Sequence, residues 1–183
     1  MDSIRGIKTI LSEITEADAE DILMLRNDPA NNKFLFQKPI SSEEQVSWIK
    51  KNKEDQLARN FKVTNLKNEF KGTISIYNIV ANRGEFGRYI VTNPVNAIES
   101  EYLLLKFCFE DLGLDAVYCQ TNLENKAVWG QHKKLGFREV EKKEVIVGSY
   151  AAVTVIAIVQ EISAEEFRNF DYSSIIKLIK FFD

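Results

Sequence analysis

Between residues 59 and 91 the chain carries three β-rich runs in close succession, and no other stretch limits the fold so tightly. "NFKVTN", "KGTISIYNIV" and "EFGRYIV" are rich in β-branched and aromatic residues, and the polar breaks "LKNE" and "ANRG" separate them. Breaks this short suit hairpins, so the spacing predicts an antiparallel meander. The next stretch is helical: from roughly Ala97 to Leu112, Leu103, Leu104, Phe107 and Cys108 recur at helical spacing. Gly113 sits just beyond, where a C-cap glycine is expected.

The flanks extend this pattern. Ile4 to Leu11 alternate loosely, as a first strand does. Thr15 with Asp18 reads as a helix start, and Pro29 ends that helix, because the residue before a proline is pushed out of helical geometry. After the connector "FLFQKPI", Ser41 with Glu44 opens a second helix that runs through Trp48 to about Asn52. Beyond the long helix come a short strand "AVYCQT", a short helix, and the strands "REVEKKEVIV" and "AAVTVIAIVQEI". Residues 163–183 read as a terminal helix whose Phe167, Phe170, Ile175, Ile176, Ile179 and Phe182 call for docking, on the domain or on a second subunit of a homodimer. The expected architecture is α/β of the α+β kind: a mixed, mostly antiparallel central sheet of about seven strands flanked by helices. Residues 1–162 would form the domain and 163–183 a C-terminal helical extension.

Charge and composition remove several function classes. With 24 basic against 27 acidic residues the net charge is −3, without the basic excess that phosphate neutralisation requires, so no nucleic-acid partner is expected. No apolar run approaches the length of a membrane span, and the first residues lack a signal-peptide pattern, so a cytoplasmic protein is expected. Cys108 and Cys119 show no C-x-x-C spacing, and with a single histidine no cluster with zinc-ligand spacing is left, so no metal is expected. Neither cysteine has a base partner identifiable from sequence, so a covalent intermediate is not expected.

That single histidine, His132, lies in "NLENKAVWGQHKKLGF" beside Lys133 and Lys134. Two readings stand at this level. One is a solvated helix face bearing an imidazole. The other is a proton carrier, since imidazole, with an ordinary pKa near 6.5, changes charge near neutral pH.

The element order, "NKAVWGQHKKLGF" and the preceding "LLLKFCFEDLGLDAVYCQTNLEN" together resemble the GNAT superfamily of acetyl-CoA-dependent N-acetyltransferases, over about Ile4 to Glu161. "LRNDPANNKFLFQKPISSEEQVSWI" resembles the branch holding ribosomal-protein N-terminal acetyltransferases and the acetyltransferases of nucleotide-linked amino sugars. The resemblance implies that acetyl-CoA serves as co-substrate for a small-molecule amine acceptor. Its pantetheine arm would run along the backbone of Ile90, Val91 and Thr92. Its pyrophosphate would meet the start of the long helix at Asn96, Ala97, Ile98, Glu99 and Ser100. Asn125, Trp129 and His132 would flank the coenzyme, and His132 would protonate the leaving thiolate. Glu85 is the carboxylate placed by analogy to deprotonate the amine; a charged residue opening a strand is otherwise simply solvated. Asn125 has a parallel reading as an N-cap, and Arg26 as an ordinary helix C-terminal cation. Arg26, Asn27, Phe34, Phe36 and Trp48 would receive the acceptor, with Tyr89 and Gln120 lining its pocket.

One departure stands out. The family's phosphate loop has spaced glycines, whereas this chain has "NPVNAIES", with none. A GNAT-fold binding module without catalysis is therefore the alternative to an enzyme.

Overall fold

The computed structural model of the 183-residue chain describes residues 3–35, 40–147 and 152–182. Phe36 and most of the connector after Phe34 lie outside the described residues.

The meander forms as expected: β3 (Arg59–Asn65), β4 (Phe70–Val80) and β5 (Arg83–Val91) pair antiparallel in chain order. The single first strand expected from Ile4 to Leu11 is instead two, β1 (Ile4–Arg5) and β2 (Thr9–Glu13). The cause is remote in sequence. The carboxylate of Glu99 accepts the amides of Ile7 and Lys8, which holds the intervening turn against the long helix. With β6 (Ala116–Asn122), β7 (Arg138–Val147) and β8 (Val153–Ser163) the sheet has eight strands among the described residues, in the order β1-β2-β3-β4-β5-β6-β8-β7. Of these pairings only β5–β6 is parallel.

Strand alternation sorts the side chains between two helical layers. Phe61, Val63, Ile74, Ile76 and Phe86 share the main core with α4 (Pro94–Lys106) and its π-turn continuation, Phe107–Asp111. Phe61 meets Phe107 edge-on at 5.6 Å between centroids. Lys62, next in the strand and so on the other face, reaches Asp18 at 2.6 Å. On that side α1 (Ala19–Asn27), the single turn α2 (Pro29–Asn32) and α3 (Ser42–Lys53) enclose a smaller core of Ile14, Ala19, Ile22 and Ile49. Helix α3 starts as its sequence requires: Ser41 and Glu44 exchange side-chain and backbone hydrogen bonds at 2.7 and 3.2 Å.

The "LGF" segment ends α5 (Lys126–Lys134) by a Schellman arrangement. Phe137 N–H donates to the His132 carbonyl and Gly136 N–H to that of Lys133, with Gly136 at φ +98°, where a side chain would be strained. This turn drives Leu135 and Phe137 into the core.

The C-terminal extension is two helices rather than one, α6 (Ala164–Asn169) and α7 (Ser173–Phe181). Phe167, Tyr172 and Ile179 are buried, and Tyr172 donates to the Leu135 carbonyl at 3.0 Å. Ile176 is partly covered, while Phe170, at the break between the helices, stays 37% exposed against the Tyr172 ring. Each fully buried large apolar side chain contributes about 1.5–3 kcal/mol. Deleting residues 163–183 is therefore expected to give aggregated protein in size-exclusion chromatography. A truncated chain that elutes as the full-length protein does, with unchanged melting temperature, would refute this.

Candidate active site

β5 and β6 pair over three positions only, Arg83↔Ala116, Gly84↔Val117 and Glu85↔Tyr118. Beyond them β6 stays with β8, while β5 stays with β4, so the sheet opens into a wedge. The local cause is an irregularity in β5: its register with β4 shifts between Thr73 and Ser75, opposite Gly87 to Ile90, and Arg88 sits at φ +49°. Such a bulge bends the strand that carries it. Past the parting, the strand edges of β5 and β6 that face the wedge have no strand partner among the described residues, which suits an extended, amide-bearing ligand lying between them as an added strand.

The wedge has two chemically different sides. On the α1–α3 side, Glu85 stands at the parting point and accepts from Asn78 Nδ2 at 2.9 Å and Tyr77 Oη at 3.2 Å. Tyr118 Oη at 3.4 Å and Gln120 Nε2 at 3.5 Å complete its ring of donors. Burial, then the Glu85 charge, pushes the Tyr77 phenol well above its ordinary range, and the same causes raise Tyr118. Both therefore remain protonated donors. Gly87 makes room for this: a Cβ there would lie 2.6 Å from Tyr77 Oη.

Near this carboxylate lies the Arg88 guanidinium, whose charge in turn reaches Arg26. Arg88 donates to Asn52 at 3.0 Å and Asn60 at 2.8 Å and lies over the rings of Tyr77 (4.4 Å) and Trp48 (5.0 Å). Burial lowers the pKa of Arg26, as does the neighbouring Arg88 charge, and burial also lowers that of Arg88. Tyr77, Asp55 and Glu85 oppose the lowering at Arg88, so this guanidinium already faces negative charge. Asn27 is used otherwise, exchanging hydrogen bonds with the backbone of Ile40 at 3.2 and 3.3 Å. Phe34 lies under the Lys33 ammonium, at 5.1 Å.

On the α4–α5 side the polar groups are sealed. His132 is 1% exposed and its Nδ1 lies 2.6 Å from Oε1 of Glu101, itself fully buried. Burial opposes the imidazolium, but the Glu101 charge and contact with Cys119 outweigh it and raise the pKa to about 10. Gln131 donates to both Glu101 (2.7 Å) and Tyr89 Oη (2.6 Å), and the rings of Phe86 and Phe137 close around the imidazole. His132 is thus neither on a solvated helix face nor open to a cleft. It is half of a buried ion pair, and Cys119, read from sequence as partnerless, lies against it.

The sequence-derived groupings need three corrections. Tyr89 and Gln120 do not line one pocket: Tyr89 faces Gln131 and the α4 side, whereas Gln120 faces Glu85. Asn125 is the N-cap of α5 as expected, but through its carbonyl and not its side chain, and Trp129 donates to the Leu123 carbonyl at 3.0 Å, fixing the loop before α5. Of the residues expected to meet the pyrophosphate, Asn96, Ala97, Glu99 and Ser100 are buried and Ile98 is partly exposed, while Pro94 and Val95 before them are exposed and partly exposed. Asn96 donates to the Lys8 carbonyl and Thr9 Oγ1, and Ser100 to the Ala97 carbonyl. The first-turn amides of Val95 and Asn96 are both taken by Asn93 Oδ1, at 3.0 and 3.1 Å. The wedge therefore offers unpaired strand edges to a pantetheine arm, whereas the first-turn amides of α4 as folded are already taken.

Arg88, Tyr77, Tyr118 and Glu101 join the site without having been read from sequence. Only Glu101 left a signal, as a carboxylate three residues before Leu104 on the buried stripe of α4. Among the described residues no cluster of three or more His, Cys, Asp or Glu could hold a metal, and no helix is long and apolar enough to cross a membrane.

Residues 8–138 match the acetyltransferase (GNAT) domain, and the chain belongs to that family. No curated protein sequence matches it. Among solved structures it is similar to spermidine N-acetyltransferase from Vibrio cholerae in complex with CoA and spermine, at 19% identity and TM-score 0.77 over 90% of this chain and 100% of that one. It is equally similar to apo FdhC, a nucleotide-linked sugar GNAT: 19% identity, TM-score 0.77, 100% of this chain and 99% of that one. At these identities the likeness establishes the fold, a mixed α/β sheet of eight strands flanked by helices.

Proposed function

We propose that the chain is an N-acetyltransferase that moves an acetyl group from acetyl-CoA to the primary amine of a small acceptor carrying negative charge, a nucleotide-linked amino sugar being the leading case. The observation that carries this reading is the juxtaposition, at the parting of β5 and β6, of Glu85 with Arg88, whose charge also reaches Arg26. A carboxylate answers the amine, and paired guanidinium groups answer a phosphate or carboxylate. A polyamine such as the spermine bound by the Vibrio cholerae relative is cationic throughout, and two arginines facing it would repel it. A peptide N-terminus, the acceptor of the ribosomal-protein branch, is not distinguished by these charges.

Coenzyme A supplies an activated acyl group. The chain's residues supply the acceptor side: Glu85 is placed to hold the amine and take its proton, with Tyr77 and Tyr118 orienting the carboxylate. The self-capped start of α4 favours one other reading, a GNAT-fold module that binds the acceptor without transferring to it.

The test is turnover with a 4-amino-sugar nucleotide and with spermidine. Charged hydrogen bonds contribute about 1.5–3 kcal/mol, so Arg88→Gln should raise KM for the nucleotide sugar roughly tenfold or more. Preference for spermidine, or an unchanged KM in the variant, would remove the anionic acceptor. Absence of transfer to every amine tried, with acceptor still bound, would leave the binding module.

A further inference from the structure

The connection from β5 to α4 consists of Thr92 and Asn93 alone, with no glycine between strand and helix. Thr92 N–H is held by the Lys71 carbonyl at 2.9 Å. Pro94, the first helical residue, has no N–H to offer. Val95 and Asn96 donate to the side chain of Asn93, and Ala97 N–H donates to the Asn93 carbonyl at 2.8 Å. The amides that a pyrophosphate would need are therefore occupied by the chain itself.

The next turn is fastened from below. Asn96 holds Lys8 and Thr9, and Glu99, 2% exposed, holds the amides of Ile7 and Lys8. Gly6 allows this approach, since a Cβ there would come within 2.8 Å of the Glu99 carboxyl carbon. These side-chain bonds tie the turn to β1 and β2, while the amides of Val95 and Asn96 themselves are withheld by Asn93. The wedge beyond Glu85 and Tyr118 is independent of these contacts and keeps its unpaired strand edges.

We infer that this chain takes its acyl donor by the pantetheine arm, in the wedge, and draws no affinity from the donor's pyrophosphate at α4. The donor class is then an S-acyl pantetheine in general, of which acetyl-CoA is one member. The inference rests on the acyl-transfer reading above and refines its donor side. No covalent intermediate is invoked: the amine nitrogen bonds to the acyl carbon, the carbon–sulfur bond breaks with its electron pair leaving on sulfur as the pantetheine thiolate, and the proton lost by the amine passes to Glu85.

Calorimetric titration of the full chain with CoA and with pantetheine tests it, alongside turnover with their acetyl thioesters. The two compounds are expected to bind within about threefold of each other. Inorganic pyrophosphate is expected not to compete. Asn93→Gly frees two amides at the cost of a few tenths of a kcal/mol of cap stability. It should improve CoA binding about tenfold or more, with pantetheine unchanged, because each charge-assisted hydrogen bond gained corresponds to about tenfold. CoA binding at least about thirtyfold tighter than pantetheine in the unaltered chain, or competed by pyrophosphate, would overturn the inference and leave acyl transfer standing. Binding of neither compound would overturn both. An Asn93→Gly chain with no gain for CoA would also count against it, because the cap would then not be what withholds the site.

Discussion

Replacing His132 by alanine is expected to destabilise the protein by about 3–5 kcal/mol, the range for removing one partner of a buried ion pair. For a chain of this size that corresponds to a fall in Tm of roughly 10 °C or more. The loss comes less from the imidazole than from what it leaves behind: Glu101, fully buried, would keep only Gln131 as a partner. Adding Glu101→Gln to the same chain should restore part of the stability, because a neutral amide tolerates that site better than an unpaired carboxylate. The folded pKa of His132 is raised from 6.5 to about 10, so its contribution is fully present below pH 6.5 and is lost as pH rises toward 10. Stability should fall by up to about 1.4 kcal/mol per pH unit through that window. His132 is the only histidine, so no other imidazole contributes to this slope. Denaturant unfolding at pH 6.5 and 8.5 checks it; the slope should vanish in the His132→Ala, Glu101→Gln double variant, which leaves no buried carboxylate behind at that site. A stable alanine variant with a large loss of turnover would instead return His132 to the role of proton donor expected from the resemblance.

The fate of His132 shows where sequence reading reaches its limit. Its neighbours on the helix, Lys133 and Lys134, are exposed as their type suggests, and nothing in their spacing announces that the residue just before them is sealed. The information lies about thirty residues away, in a glutamate on the buried stripe of α4. Elements governed by local rules were legible: the meander, the Ser41–Glu44 capping box and Gly113 after the long helix each arise from short-range geometry. The split of the first strand was not, because Glu99 causes it from across the molecule. The bulge at Arg88 was not either, and with it went the sorting of residues between the two sides of the wedge. A bulge displaces alternation by one residue, so Tyr89 turns to the α4 side and Arg88 to the acceptor side. In the glycine-free loop the sequence did carry the decisive fact, since an asparagine followed by a proline is a helix start that caps itself.

Glu85→Gln is expected to lower kcat for acyl transfer by about 10²–10⁴-fold, the usual span for loss of a positioned acid–base group. A primary amine of ordinary pKa near 10 arrives protonated at neutral pH, so transfer requires a group that first attracts the ammonium and then accepts its proton. Glu85 is the carboxylate at the parting of β5 and β6, held there by Tyr77, Asn78, Tyr118 and Gln120. Glutamine keeps the shape and one acceptor oxygen, and the site is half-exposed, so the fold should survive, as an unchanged Tm would confirm. The kinetic signature separates catalysis from binding. A lost base lowers kcat and leaves the acceptor KM within a few-fold, and the residual rate climbs with pH as free amine becomes available without help. Tyr77→Phe, which removes one orienting donor and leaves the carboxylate, should cost much less, on the order of tenfold or below. An unchanged kcat with a raised KM would make Glu85 an anchor for the ammonium alone. Turnover within about threefold of the unaltered chain would mean that the proton leaves by another route, through solvent in the wedge.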